Sequence, residues 1–250
     1  MDASTAARLL ELNREFYNRF GPSFSATRRR IQPGVRRALG MLRGDESILD
    51  LGCGNAELAR ELAKRGHRGP YLGVDFSLPL LREAEFLPGG FSANFVEADL
   101  TSGNLADLIL TSPGPDRAIR SGLFDIVLCF AVLHHIPSAE LRLQLLRIVY
   151  QLIRPNGLFI HSNWQFLHSQ RLRARIQPWE TASIARSGVD AGDYLLDWRN
   201  GGRGLRYVHH FDEKELDALA EASGFRVSDT FYSDGEGGRL GLYQTWKLAS

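Results

Sequence analysis

An apolar run ending in Asp50-Leu-Gly-Cys-Gly-Asn55 constrains this chain more than any other segment. Ile48–Leu51 read as a buried strand. Gly52 and Gly54 allow a sharp turn that side chains with a Cβ disfavour. A helical pattern starts just beyond, so the segment is a strand, a turn and a helix, the opening of a βα unit. Such turns bring the backbone close to a ligand at the strand's C-terminal end. A dinucleotide fingerprint of G-x-G-x-x-G spacing asks for glycine at 57, where this chain has Glu57. A carboxylate in the first helical turn repels a pyrophosphate, so the turn suits a nucleoside without one.

From Ser47 onward, short apolar runs alternate with helical patterns, as in a parallel sheet covered by helices. The expected strands are Ile48–Leu51, Tyr71–Asp75, Ala93–Asp99, Phe124–Phe130 and Leu158–Ser162. Phe225–Tyr232 and Gly241–Leu248 read as a closing hairpin around the glycine-rich turn Asp234–Gly238. Leu141, Leu145, Ile148, Val149 and Leu152 recur at helical spacing behind Pro137-Ser138, and Pro155-Asn156-Gly157 stops that helix. Asp212 and Glu215 make a capping-box pattern, with Phe211 and Leu216 at staple positions and Gly224 as the stop. In front of the sheet, Leu9, Leu12, Phe16 and Phe20 share one helical face, and Pro33 opens a second short helix.

The length of 250 residues, 44% of them hydrophobic, suits one domain with a full core. We divide it into an N-terminal helical cap (1–46), a core (47–163), an insertion (164–210) and a closing helix with hairpin (211–250). The insertion fits no regular pattern and carries Trp164, Trp179 and Trp198 among glycines and arginines, so it reads as a substrate-side loop. No apolar run approaches the roughly 18 residues needed to cross a bilayer. The N-terminus lacks the apolar core of a signal peptide, and the two cysteines, Cys53 and Cys129, suit a reducing compartment. The expected location is therefore cytoplasmic, with no membrane contact and no metal site. The net charge of +1 hides a segregation. Seven arginines and no acid lie between Phe16 and Gly44. Arg171, Arg173 and Arg175, near His168, fall in a second acid-free stretch. A solvated face is the ordinary reading of an arginine run, and two such runs on a nearly neutral chain strengthen the case for an anionic macromolecular partner.

Acidic residues close three successive strands. Asp75 ends the second and can accept both ribose hydroxyls of a nucleoside. Asp99 ends the third, placed to meet an adenine amino group, and Asp50 would face an ammonium. Each alone could be a strand-end cap or an ion-pair partner. Together, at the ends where open α/β sheets bind ligands, they point to S-adenosylmethionine, which carries no phosphate for Glu57 to repel.

Asp50-Leu-Gly-Cys-Gly54, Gly73-Val-Asp75-Phe-Ser, Glu97-Ala-Asp99, Phe124-Asp-Ile-Val and Leu152-Ile-Arg-Pro-Asn-Gly157, with His134-His135 between the last two, resemble the motif set of class I methyltransferases in order over residues 47–162. Ala56 departs from it, standing where many relatives have a third glycine. The resemblance implies an α/β Rossmann-like fold with a seven-stranded, mostly parallel sheet, helices on both faces and an antiparallel closing hairpin. It also implies direct methyl transfer from the sulfonium of S-adenosylmethionine. The cofactor pocket would be lined by Asp50, Gly52, Gly54, Asn55, Asp75, Phe76, Asp99, Leu100, Phe130 and His134.

Outside that core, Phe24-Ser-Ala-Thr-Arg28, Asp193-Tyr-Leu-Leu-Asp-Trp198, Arg206-Tyr-Val-His-His-Phe211 and Glu215-Leu216 resemble the tRNA carboxymethyluridine methyltransferases. Asp197 and the Gly237-Gly-Arg-Leu240 insert depart from that family's pattern. The resemblance implies esterification of a carboxymethylated wobble uridine in tRNA. It also implies a small zinc-binding activator subunit pairing with the edge strand at Ala93–Asp99. A carboxylate acceptor is already ionised at neutral pH and needs no general base, only orientation. Arg28 and Arg206 are the candidates to hold it, because guanidinium forks suit carboxylates, with Tyr207 and His209 as orienting donors. Surface pairing or phosphate contact is the alternative for each arginine. Trp164, Trp179 or Trp198 could stack on an extruded base or simply pack the insertion.

One of His134 and His135 would shape the cofactor pocket and the other pack or face solvent, rather than either moving protons. For a hydroxyl or amine acceptor, one of them could serve as a base. The alternative function is O-methylation of a small carboxylic acid, phenol or quinone precursor. A third possibility is a scaffold without cofactor binding, which the intact acids disfavour.

Overall fold

The computed structural model describes every residue except 27–29, 85–86, 88–89, 113–122 and 250. Strands β1 (Ile48–Leu51), β2 (Tyr71–Asp75), β3 (Ala93–Glu97), β4 (Phe124–Phe130) and β5 (Ile153–Trp164) run parallel. The hairpin of β9 (Phe225–Ser233) and β10 (Gly241–Leu248) closes the sheet, with β10 antiparallel to both neighbours. The order is β3-β2-β1-β4-β5-β10-β9, which makes β1 and β4 the point where the strand order reverses. That is the seven-stranded, mostly parallel architecture expected.

Successive strand residues feed two apolar layers. Leu49, Leu51, Val127 and Cys129 pack with α5 (Leu105–Leu110), α6 (Ala139–Leu152) and α8 (Glu213–Ala222). Ile48, Tyr71, Ile126 and Leu128 pack on the opposite face with α2 (Pro33–Leu39) and α3 (Glu57–Lys64). Burial on both faces explains why these strands read as continuous apolar runs. The Asp212 side chain caps α8, accepting from the Glu215 amide at 2.8 Å, and Phe211 and Leu216 are both buried.

Several boundaries differ from expectation. β3 ends at Glu97, where the Ala98 amide makes the last bond to β2 through the Asp75 carbonyl, and Asp99 lies in the following loop. β5 starts directly after α6 and runs to Trp164, with Asn156 at φ +69°. The larger difference is the 164–210 segment, which is not irregular. It folds into an antiparallel sheet of β6 (Ile176–Gln177), β7 (Asp193–Trp198) and β8 (Gly204–His209). Helix α1 (Ala3–Ala26) covers this sheet. Leu9 and Leu12 are buried with Trp179, Leu195 and Tyr207, while Phe16 and Phe20 meet Trp198. Cap and insertion thus form one layer, whose residues reach the C-terminal ends of the parallel strands. No helix among the described residues is long and apolar enough to cross a membrane.

Candidate active site

A cavity of about 750 Å³ opens at the C-terminal ends of β1, β2 and β4. All ten residues assigned from sequence to the cofactor line it, and so does Arg206. The floor is the turn after β1. Gly52 and Gly54 lie at φ +76° and +54°, and Ala56 also adopts the left-handed region at φ +60°. Ala56 therefore takes a glycine conformation with only a methyl to accommodate, and it is fully buried. The Gly52 and Cys53 amides bond the Val74 carbonyl at 2.7 and 3.1 Å, which seats the turn against β2. A Cβ on Gly52 would come within 2.3 Å of Val132 Cγ2, whereas one on Gly54 would meet nothing within 4 Å. Gly52→Ala should therefore lower stability by roughly 1–3 kcal/mol and cofactor affinity at least tenfold. Gly54→Ala should cost only about 1 kcal/mol. Thermal melts and titration with S-adenosylhomocysteine compare the two, and equal losses would count against the steric reading.

The three acids differ in environment. Asp50 is buried and accepts a hydrogen bond from the Tyr71 hydroxyl. Burial pushes its carboxyl up to about 7, against the pull of that bond and with a further push from Asp75. Tyr71 is a site residue that sequence reading missed. The signal was a tyrosine inside a parallel strand, whose hydroxyl must find a buried partner. Asp75 accepts from the amides of Gly54 at 2.9 Å and Ser77 at 2.8 Å. Burial still raises it, outweighing those donors. Asp99 accepts from the Thr101 amide and hydroxyl at 2.8 and 2.7 Å and from Arg14 of α1 at 2.7 Å. Arg14, Asn13 and Tyr17 of α1 also line the cavity, a contribution from a helix more than thirty residues before the turn.

Past β4, the Ala131 amide donates to the Ser162 carbonyl at 3.0 Å with φ at +58°. The next turn carries the histidines. His134 is buried, and its Nδ1 accepts from the Trp164 amide at 3.3 Å. His135 Nδ1 lies 3.1 Å from the Tyr207 carbonyl and Nε2 lies 2.9 Å from the Tyr17 hydroxyl. A carbonyl only accepts, so in neutral His135 the proton sits on Nδ1 and Tyr17 donates to Nε2. In neutral His134 the proton sits on Nε2, which makes that nitrogen a donor.

The other half of the cavity is basic and aromatic. Arg206 is buried, with its guanidinium 4.7 Å from the Trp164 ring centre, 5.5 Å from Phe16 and 5.8 Å from Trp198. Arg30 from the first arginine run and Arg171 and Arg175 from the second line the same space. Among the described residues no carboxylate pairs with these three. Trp164 and Trp198 line the cavity, while Trp179 is packed beneath α1. Arg28 lies outside the described residues.

Tyr207 and His209 do not line the cavity. The Tyr207 hydroxyl donates to Asp193 at 2.7 Å, and His209 sits between Asp193 at 2.6 Å and Glu215 at 2.9 Å. Arg142 of α6 completes the group, donating to Glu215 at 3.1 Å, Tyr207 at 3.3 Å and the Ile136 carbonyl at 2.9 Å. Side chains alternate across a strand, so Arg206 faces the cavity while Tyr207 and His209 face this buried network. The geometry thus removes Tyr207 and His209 from the orienting role expected of them. Among the described residues no group of His, Cys, Asp and Glu could hold a metal ion.

The model of the methyltransferase domain family matches residues 23–230. A protein of Encephalitozoon cuniculi named as a methyltransferase is 30% identical over 217 residues, covering 86% of this chain and 87% of that protein. The mouse tRNA (carboxymethyluridine(34)-5-O)-methyltransferase is 27% identical over 157 residues, which are 60% of this chain and 19% of the mouse protein. A ubiquinone biosynthesis O-methyltransferase of Escherichia fergusonii is 25% identical over 112 residues, 45% of this chain and 40% of that one. Among solved structures, an S-adenosylmethionine-dependent methyltransferase of Methanosarcina mazei shares the fold. Its TM-score is 0.63 at 23% identity, over 88% of this chain and 99% of that one. With its glycine turn, strand-end acids and seven-stranded sheet, this chain belongs to the methyltransferase domain family.

Proposed function

We propose that this enzyme methylates the carboxylate of a carboxymethylated wobble uridine in tRNA. The observation that carries the reading is convergence. Arg30 of the first arginine run, Arg171 and Arg175 of the second and the aromatic-flanked Arg206 line one cavity together with Asp50, Asp75 and Asp99. The cofactor is S-adenosylmethionine, and the residues fit it. Gly52 and Gly54 leave room for a close approach, Asp75 suits ribose hydroxyls, and Asp50 suits an ammonium. Bound there, the cofactor supplies an electrophilic methyl group.

The chain's own residues then have a positioning task. A carboxylate oxygen attacks without losing a proton, so holding it in line supplies much of the acceleration. The buried Arg206 can hold that carboxylate, its charge made more effective by exclusion of water. Arg30, Arg171 and Arg175 stand where a polyanion would enter, and Trp164 and Trp198 offer faces to a base. Both histidines agree with an acceptor that needs no base, since His135 Nε2 is engaged by Tyr17 and His134 presents a donor. On the same reading, β3, the outermost strand on its side, would receive the activator subunit.

The test offers labelled cofactor to total tRNA from cells lacking the protein, with and without an activator subunit. Base-labile label at the wobble uridine, and affinity falling steeply with salt, are the expected results. Label appearing only on small acids, phenols or quinone precursors would replace this reading with small-molecule O-methylation.

A further inference from the structure

The hairpin turn between β9 and β10 brings Asp234 and Gly235 to the wall of the cavity. Asp234 opens that turn at φ +71°, and its two carboxylate oxygens serve different partners. Oδ1 accepts from the Gly34 amide at 2.9 Å, and Oδ2 accepts from the Tyr243 hydroxyl at 2.5 Å. Gly34 belongs to the first turn of α2, where backbone amides have no partner within the helix. Pro33 has no amide hydrogen, and the N-cap residue Gln32 makes no side-chain cap bond. Asp234 supplies the missing acceptor from 200 residues away. The approach is close, since a Cβ on Gly34 would lie 2.3 Å from the Tyr243 ring. Tyr243 is itself immobilised, buried in β10 and stacked on Phe231 at 4.8 Å and 6°.

The segment so anchored brings Arg30, Ile31 and Gln32 to the cavity that Arg171 and Arg175 also line. We infer that Asp234 is a positioning residue for the acceptor: it clamps the start of α2 to the sheet and so holds Arg30 at the cavity. This rests on the tRNA reading above. The sign of its effect separates it from simple electrostatics. A carboxylate at the rim of a cavity for an anion repels that anion, so charge alone predicts tighter acceptor binding when Asp234 is removed. A clamp predicts weaker binding.

The test compares Asp234→Gly with Asp234→Asn. Glycine adopts the left-handed backbone without strain and removes both acceptor oxygens. Asparagine tolerates that backbone and keeps an oxygen for the Gly34 amide. Three quantities are read on the full chain: KM and kcat for total tRNA, affinity for S-adenosylhomocysteine, and hydrogen exchange at the Gly34 amide. Asp234→Gly should raise KM for tRNA about tenfold, on the scale of a lost bond to a charged group. Its kcat and S-adenosylhomocysteine affinity should stay within about twofold of the parent, with faster Gly34 exchange. Asp234→Asn should match the parent in all three. An unchanged or lowered KM in Asp234→Gly, or tighter tRNA binding in both variants, would overturn the clamp. If Asp234→Gly does not fold, Tyr243→Phe removes one anchor, and a KM unchanged there would overturn it too. A parent protein that methylates no tRNA refutes the tRNA reading instead. The clamp is then decided by Gly34 exchange, which refutes it if Asp234→Gly leaves it unaltered.

Discussion

Titrated with S-adenosylhomocysteine between about pH 6 and pH 8, the protein should bind more tightly as pH rises, levelling off above about pH 7. The reason is Asp50, whose carboxyl burial lifts to about 7. An ammonium prefers the ionised acid, so below that value binding must first strip a proton. Full coupling gives up to a tenfold loss per pH unit. Asp50→Asn should abolish the slope and weaken binding by roughly 10–100-fold, the scale of a lost charge-assisted contact. The same shift has the opposite consequence for stability. A carboxyl raised in the folded state contributes fully below its unfolded value near 4 and loses that contribution as pH rises through about 7. Near pH 8 the unliganded Asp50→Asn protein should therefore melt higher than the parent while binding worse. A pH-independent affinity in the parent would remove Asp50 from the ammonium.

Arg142→Met should cost about 3–5 kcal/mol of stability. Arg142 is 1% exposed and sits beside the equally buried Asp193, with bonds to Glu215, Tyr207 and the Ile136 carbonyl. Its guanidinium also lies 5.1 Å from the Phe211 ring centre. Removing it leaves acids partly buried without their cation. For a chain of this size the loss corresponds to a Tm lower by roughly 10 °C. Burial raises Asp193, but bonds from His209 and Tyr207 outweigh that and hold it below the usual carboxylate range. Its stabilisation is therefore present above about pH 4 and disappears as pH falls through its lowered value. The variant should begin acid unfolding at higher pH than the parent. A loss under about 1 kcal/mol would show that the network holds without its arginine.

The network bears on function through position. It joins α6, β7, β8 and α8, while the Tyr207 backbone bonds both Asn13 of α1 and His135 of the cavity. Tyr207 and His209 therefore matter as supports for the layer that roofs the site.

How much of this was legible beforehand depends on how local each feature is. The turn after β1, the acids at 50, 75 and 99 and the helix caps are set by a few neighbouring residues in regular geometry. Their placement could be read along the chain. Arg206, Tyr207 and His209 came from one motif that looked uniformly functional. What separates Arg206 from the other two is the side-chain alternation of β8. That strand was hard to see, since Gly204–His209 and Asp193–Trp198 bury residues on both sides, against α1 and against β5's extension.

The chain by itself thus determined the strand, the glycine turn and the acids beside them, whose geometry follows from local backbone preferences. Only tertiary structure decided the basic and aromatic part of the cavity. Arg30, Arg171 and Arg206 are far apart in sequence, and no local preference relates them. They meet because α1 buries its apolar face on the β7–β8 sheet and Asp234 ties α2 to the closing hairpin, contacts that exist only once the layers pack.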